Sequence, residues 1–142
     1  MRGILIFISL IVVGGCVASH QSVVEDVNVD EWRDTEYVIM ENHDTLTYRN
    51  IEIFARYSPS LVSESTTLTI NTMTPDSTSY SEEVTIHFDK SPSQLNASRV
   101  VVRPYREGVI WRQRGEYRFE ITPVTPVVGI EAIGVNITKS NP

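Results

Sequence analysis

Apolar and polar residues alternate with a period of two along most of the chain. Ile51, Ile53, Ala55 and Tyr57 alternate with Glu52, Phe54 and Arg56, and Leu68 and Ile70 with Thr67, Thr69 and Asn71. Val84, Ile86 and Phe88 alternate with Glu83, Thr85 and His87, and Tyr117, Phe119 and Ile121 with Glu116, Arg118, Glu120 and Thr122. Successive side chains of a strand point to opposite faces, so each run offers one face to a core and the other to water. Helical spacing is hard to find. The pattern predicts strands over 37–40, 47–57, 66–72, 83–88, 99–105, 108–111, 116–123 and 130–138, separated by clusters of Asn, Asp, Ser, Pro and Gly. Short strands at this spacing predict an all-β fold, an antiparallel β-sandwich of about seven to eight strands. Pro123 and Pro126 cannot donate ladder hydrogen bonds, which makes 122–127 a loop or edge segment. Gly129 and Gly134 predict a bend or bulge near the last strand.

The N-terminus has a different pattern. Met1-Arg2 gives a positive start, residues 4–13 are apolar except for Ser9, and Gly14-Gly15-Cys16 follows. A ten-residue apolar run is about half of what a helix needs to cross ~30 Å of hydrocarbon, so it reads as the core of a signal peptide. Val13-Gly14-Gly15-Cys16 resembles the bacterial lipobox, in which the cysteine is acylated and becomes the first residue of the mature chain. Cys16 is the only cysteine of the protein. Secreted domains use cysteines in pairs, and acylation accounts for a single one. Two or more acyl chains anchor stably where one is marginal. The expected organisation is a signal peptide over 1–15, a lipidated N-terminus and flexible tether over 16–34, and a β-sandwich over 35–139. A flexible eighteen-residue tether would span on the order of 23 Å. Trp32, apolar and near the end of that stretch, is expected to dock on the domain.

Charge narrows the partners. Without Arg2 the mature chain has eleven Lys and Arg against eighteen Asp and Glu, a net charge of −7. This excludes the basic footprint of a nucleic-acid binder, and adhesion to anionic head groups by charge alone. The membrane is therefore expected as a partner through the lipid.

Candidate chemistry is sparse. His20, His43 and His87 are scattered, and Asp44 beside His43 is explained by a turn whose backbone it caps, so no metal site is predicted. No nucleophile elbow and no glycine-rich phosphate loop are present, so no catalytic residue and no cofactor is assigned. Glu82 and Glu83 are strand neighbours and point apart. Arg103, Arg106, Arg112, Arg114 and Arg118 gather within sixteen residues, interleaved with Tyr105, Trp111 and Tyr117. Of these, Tyr105, Trp111, Arg103, Arg112 and Arg114 form a candidate binding face for a sugar or an acidic peptide, by stacking and by guanidinium–carboxylate pairing. The plainer reading is a solvated face whose arginines pair with Glu107, Glu116 and Glu120. Asp44-Thr45-Leu46 and Asp76-Ser77-Thr78 resemble a short O-glycosylation motif of the Bacteroidota, with Thr45 and Ser77 as the acceptors.

The segments YRNIEIFARY (48–57), YREGVIWRQRGEYRFEI (105–121) and VVGIEAIGVNI (127–137), together with the lipobox and a Trp shortly into the mature chain, resemble the gliding-motility-associated lipoprotein family GldH of Bacteroidota. Order and spacing agree from about Trp32 to Thr138. Residues 77–90 depart from the family's pattern, in lacking a Trp- and Gly-containing loop. The resemblance implies a non-enzymatic envelope lipoprotein that supports surface motility and the associated secretion machinery, in contact with other envelope proteins. Residues 17–20 lack the acidic cluster that resembles a surface-export signal in this phylum, which implies an outer-membrane lipoprotein facing the periplasm.

Overall fold

The computed structural model describes residues 20–91 and 96–141; the expected signal peptide and Cys16 lie outside them. Eight strands run β1 His20–Asp26, β2 Glu36–Asn42, β3 Tyr48–Tyr57, β4 Ser65–Met73, β5 Ser79–His87, β6 Arg99–Ile110, β7 Gly115–Pro123 and β8 Ile130–Lys139. They form two four-stranded sheets, in the orders β1-β8-β3-β6 and β2-β7-β4-β5, with every pairing antiparallel. The fold is thus an all-β sandwich, as its period-two pattern predicts. The two interleaved strand orders are those of an eight-stranded jelly roll.

The core fills the space between the sheets. Val38 and Met40 of β2, Ile51 and Ile53 of β3, Leu68 and Ile70 of β4, Phe119 and Ile121 of β7 and Ile133 and Val135 of β8 are all buried. β8 breaks alternation in the opposite sense to the exposed edge strands, since it is buried on both faces from Ala132 to Ile137 and lies between β1 and β3. An inner strand covered on both sides needs a near-continuous apolar run, and Ile130 to Ile137 supplies one.

Three expectations change. The stretch 16–34 is not a tether throughout, because residues 20–26 form β1, paired with β8 from His20↔Thr138 to Asp26↔Ala132. Trp32 does dock on the domain. It is buried, it exchanges backbone hydrogen bonds of 2.8 and 3.0 Å with Val127, and its indole N–H donates to the Asp34 carbonyl at 2.9 Å. Second, the predicted strands 99–105 and 108–111 are one strand, β6. Two register shifts against β3 absorb the extra residues, with Gly108 at φ +60° and its N–H donated to Asn50 Oδ1 at 3.0 Å. Third, β7 reaches Pro123, as the predicted strand 116–123 has it, so the loop or edge segment expected over 122–127 gives way at its first two residues to an inner strand.

The two glycines near β8 have separate reasons. Gly129 sits at φ +100° against the Leu61 backbone, where a Cβ would come within 2.6 Å. Gly134 lets β1 approach β8, since a Cβ there would meet the Val23 carbonyl oxygen at 2.4 Å. Gly134→Ala is therefore expected to push β1 off the sheet, raising amide hydrogen exchange across 20–26 while the β3–β6 ladder stays protected. Free exchange of 20–26 in the unmutated protein would sink the assignment of β1. Trp32→Ala should cost about 3–5 kcal/mol in urea denaturation, the usual range for removing a buried large aromatic side chain.

Candidate functional site

One end of the sandwich holds most of the residues that the sequence singled out. The turn 43–47 joins β2 to β3, 74–78 joins β4 to β5, and 111–114 joins β6 to β7. Asn42 ties the last of these down, donating from its side-chain amide to the carbonyls of Trp111 (3.2 Å) and Gln113 (2.7 Å). Gln113 in turn donates to Asp76 Oδ2 at 2.9 Å and accepts the Asp76 N–H at 3.1 Å.

Trp111 is the centre of this end. It stacks on Tyr117 with ring centroids 4.1 Å apart and planes 6° from parallel, and Phe119 lies tilted at 6.2 Å. The Arg49 guanidinium lies 5.5 Å from the Trp111 ring centroid, and its NH2 donates to the Asp44 carbonyl at 2.9 Å. Stacking and cation–π attraction hold the indole as a plug with only 7% of its surface exposed. It therefore offers no open platform for a sugar ring, which removes the main support for that version of the predicted binding face.

Beside the plug, the β5 and β6 edges gape. The cleft between them is about 420 Å³ in volume, with Trp111 and Phe119 among its walls and Tyr80, Glu82, Tyr105, Arg106, Val109 and Arg112 around it. Glu82 pairs with Arg106, whose guanidinium lies 4.4 Å from the Tyr105 ring centroid. The Tyr105 hydroxyl and the Arg106 guanidinium beside Glu82 hold its carboxyl below the usual range. Burial pushes the Tyr105 phenol up.

The structure thus brings Tyr105, Trp111 and Arg112 together and separates Arg103 and Arg114 from them. Arg103 is exposed on β6 away from the cleft, and Arg114 borders a shallow depression with Thr74, Ser77 and Arg118. Arg118 lies 3.9 Å from both Glu116 and Glu120, as the plainer reading of the arginines expects, whereas Arg106 takes Glu82 in place of Glu107. Arg103, Arg112 and Arg114 form no salt bridge among the described residues. Glu82 and Tyr80 were not legible as site residues, because only the juxtaposition of two sheets places them opposite β6.

Thr45 and Ser77 both lie in turns, Ser77 exposed at φ +66° and Thr45 half-buried. Each preceding aspartate has structural work of its own. Asp44 accepts the Thr47 hydroxyl, the Leu46 N–H at 2.9 Å and the Thr47 N–H at 3.2 Å. Asp76 accepts the Thr74 hydroxyl at 2.5 Å and the Thr78 N–H at 3.0 Å.

A second surface lies on the outer face of the β1-β8-β3-β6 sheet. Val24, Gly134, Phe54 and Val102 stand in register across all four strands. The next row holds Asp26, Ala132, Arg56 and Val100, with Arg56 hydrogen-bonded to Asp26 at 3.2 Å and to Glu131 at 3.1 Å. The apolar row is therefore bordered by paired charge. Its signal was present in the sequence, as Phe54, Val100 and Val102 occupy positions that alternation assigns to water.

No known protein family and no curated protein sequence matches the chain. Solved virus structures are similar to it, among them two of infectious bursal disease virus. The infectious bursal disease virus VP2 subviral particle matches with a TM-score of 0.43 at 11% identity, over 84% of this chain and 32% of that one. The Gx strain of the same virus gives 0.39 at 12% identity, over 86% of this chain and 32% of that one. This chain spans about a third of the length of those chains, and nothing about activity or assembly passes from them to it.

The turn aspartates set an acid dependence. The Thr47 hydroxyl first, and then the Leu46 N–H, hold Asp44 at about 2, below its ordinary 3.8; Asp76 is shifted the same way, chiefly by the Thr74 hydroxyl. A depressed folded-state pKa adds stability that is complete above the unfolded value and lost as pH falls through the folded one. Denaturant midpoints followed from pH 5 to 2 should therefore fall more for the unmutated protein than for Asp44→Asn, and parallel curves would contradict the turn geometry.

Proposed function

We propose that this chain is a non-enzymatic envelope lipoprotein, anchored through Cys16 and resembling an accessory component of gliding motility and its associated secretion machinery. The observation that carries the reading is the lipobox-like Val13-Gly14-Gly15-Cys16 behind a short apolar run, with strand β1 present from His20, four residues after the cysteine. A domain attached so closely to its lipid works at a membrane surface. The segments that resemble the gliding-motility lipoproteins fall on β3, on the end of β6 with β7, and on β8, and thus on framework strands of both sheets. The outer membrane, on its periplasmic side, is the location that the same resemblance supports.

Contact with other envelope proteins has its best candidate in the Val24–Phe54–Val102 row. Contiguous apolar surface rimmed by polar groups is the usual character of a protein interaction site. A second reading, a peptide-binding lipoprotein, has one observation of its own. The β5–β6 cleft is of ligand-pocket size, and the strands on both sides of it are sheet edges.

The anchor is tested by labelling cells with radioactive palmitate. The native protein should carry label and sediment with membranes, and Cys16→Ala should lose both properties. Unlabelled native protein would overturn the lipoprotein reading. In crosslinked cells, Val102→Asp should lower recovery of an envelope partner while leaving the palmitate label unchanged. Loss on substituting Val109→Arg in the cleft instead would favour the peptide-binding reading.

A further inference from the structure

We propose that the end of the sandwich formed by the turns 43–47, 74–78 and 111–114 rests against the lipid bilayer, so that the domain stands upright on the membrane in one orientation. The inference rests on the reading of Cys16 as the lipidated residue. Its geometry comes from where β1 starts. His20 is paired with Thr138, and the next register positions along the sheet are Lys139 with Arg49 and Tyr48 with Ile110. The entry point of the chain therefore lies at the end that carries the three turns, and a depression lined by His20, His43, Asp44, Trp111 and Lys139 joins the two sheets there.

Chain length then limits the distance. From Cys16 to His20 there are four residue steps, which reach at most about 14 Å when fully extended. That is shorter than the domain itself, whose seven- to twelve-residue strands are about 23–40 Å long. A tether of this length cannot let the domain turn over and bring its other end to the lipid. The near end presents an apolar side chain to its surroundings, since Leu46 is 83% exposed in its turn. Charge does not drive the contact, because Arg112, Arg114 and Lys139 are offset by Glu41, Asp76 and Glu116 at the same end. The covalent constraint sets the orientation, and Leu46 supplies an apolar point of contact with the head-group boundary. The far end, with Val62 85% exposed, is left facing away from the membrane.

The test uses the full lipidated protein, in which Cys16 is blocked and an introduced cysteine is the only free thiol. Leu46→Cys and Val62→Cys, each carrying an environment-sensitive fluorophore, are reconstituted in vesicles of phosphatidylethanolamine and phosphatidylglycerol containing a lipid with a quencher near its head group. The label at position 46 should be quenched several-fold more than the label at 62. Inserting about twenty Gly and Ser residues between Ser19 and His20, a flexible reach of about 25 Å, should erase the difference. Equal quenching with the native spacing, in protein whose intact mass includes the acyl chains, would overturn the orientation and leave the anchor standing. Protein that lacks the acyl mass would overturn both.

Discussion

The pairing of the first strand with the last is the constraint on which the rest of this structure depends. β1 lies along β8 through seven register positions, and Ser22 donates to Asn136 at 2.6 Å across the pair. With β1 in place β8 becomes an inner strand, and its apolar residues are covered on both sides. Without it, β8 itself would become the sheet edge, and Ala132 and Gly134 would face water. The pairing requires a close backbone approach, which Gly134 permits and any side chain at that position would obstruct. Trp32, bridged to Val127 just beyond the strand, holds the chain as it crosses to the opposite sheet. These contacts turn what begins as an N-terminal extension into an integral part of the domain.

Legibility in the sequence followed burial. Strands β3, β4 and β7 have one wet face and one dry face, and alternation marks them clearly. β1 has neither pattern, because His20-Gln21-Ser22-Val23-Val24-Glu25-Asp26 is an edge strand with mostly exposed side chains. Backbone hydrogen bonds hold it, and those leave no mark on side-chain periodicity. The split predicted within β6 has a related cause, since Glu107-Gly108 reads as a turn and behaves as a bulge. The jelly-roll order depends on pairings between residues from 42 (Tyr57↔Arg99) to 118 (His20↔Thr138) positions apart, and no local pattern encodes them.

The arginine-rich stretch shows a different limit. Along the chain its five arginines and three aromatics form one cluster, but the bend between β6 and β7 distributes them over separate surfaces. Trp111, the most suggestive of them, is committed to packing against Tyr117 and Arg49. The aspartates of the two Asp-Thr/Ser motifs are likewise committed to their own turns, whatever happens at Thr45 and Ser77. Residue type pointed to chemistry at these positions, and the fold employs much of it in holding three turns together at one end.

The short connection ahead of β1 also governs how the domain would respond to force. A pull on Cys16 enters at His20 and runs along the axis of β1. If the domain is gripped at its far end or across its broad sheet face, the β1–β8 ladder is sheared, and its hydrogen bonds share the tension in parallel. Peeling, in which bonds fail one after another, would need the opposing grip on the same end of β8, near Lys139. If the chain is anchored through Cys16 as proposed, tension on that anchor would thus be met along the more resistant direction of its first strand.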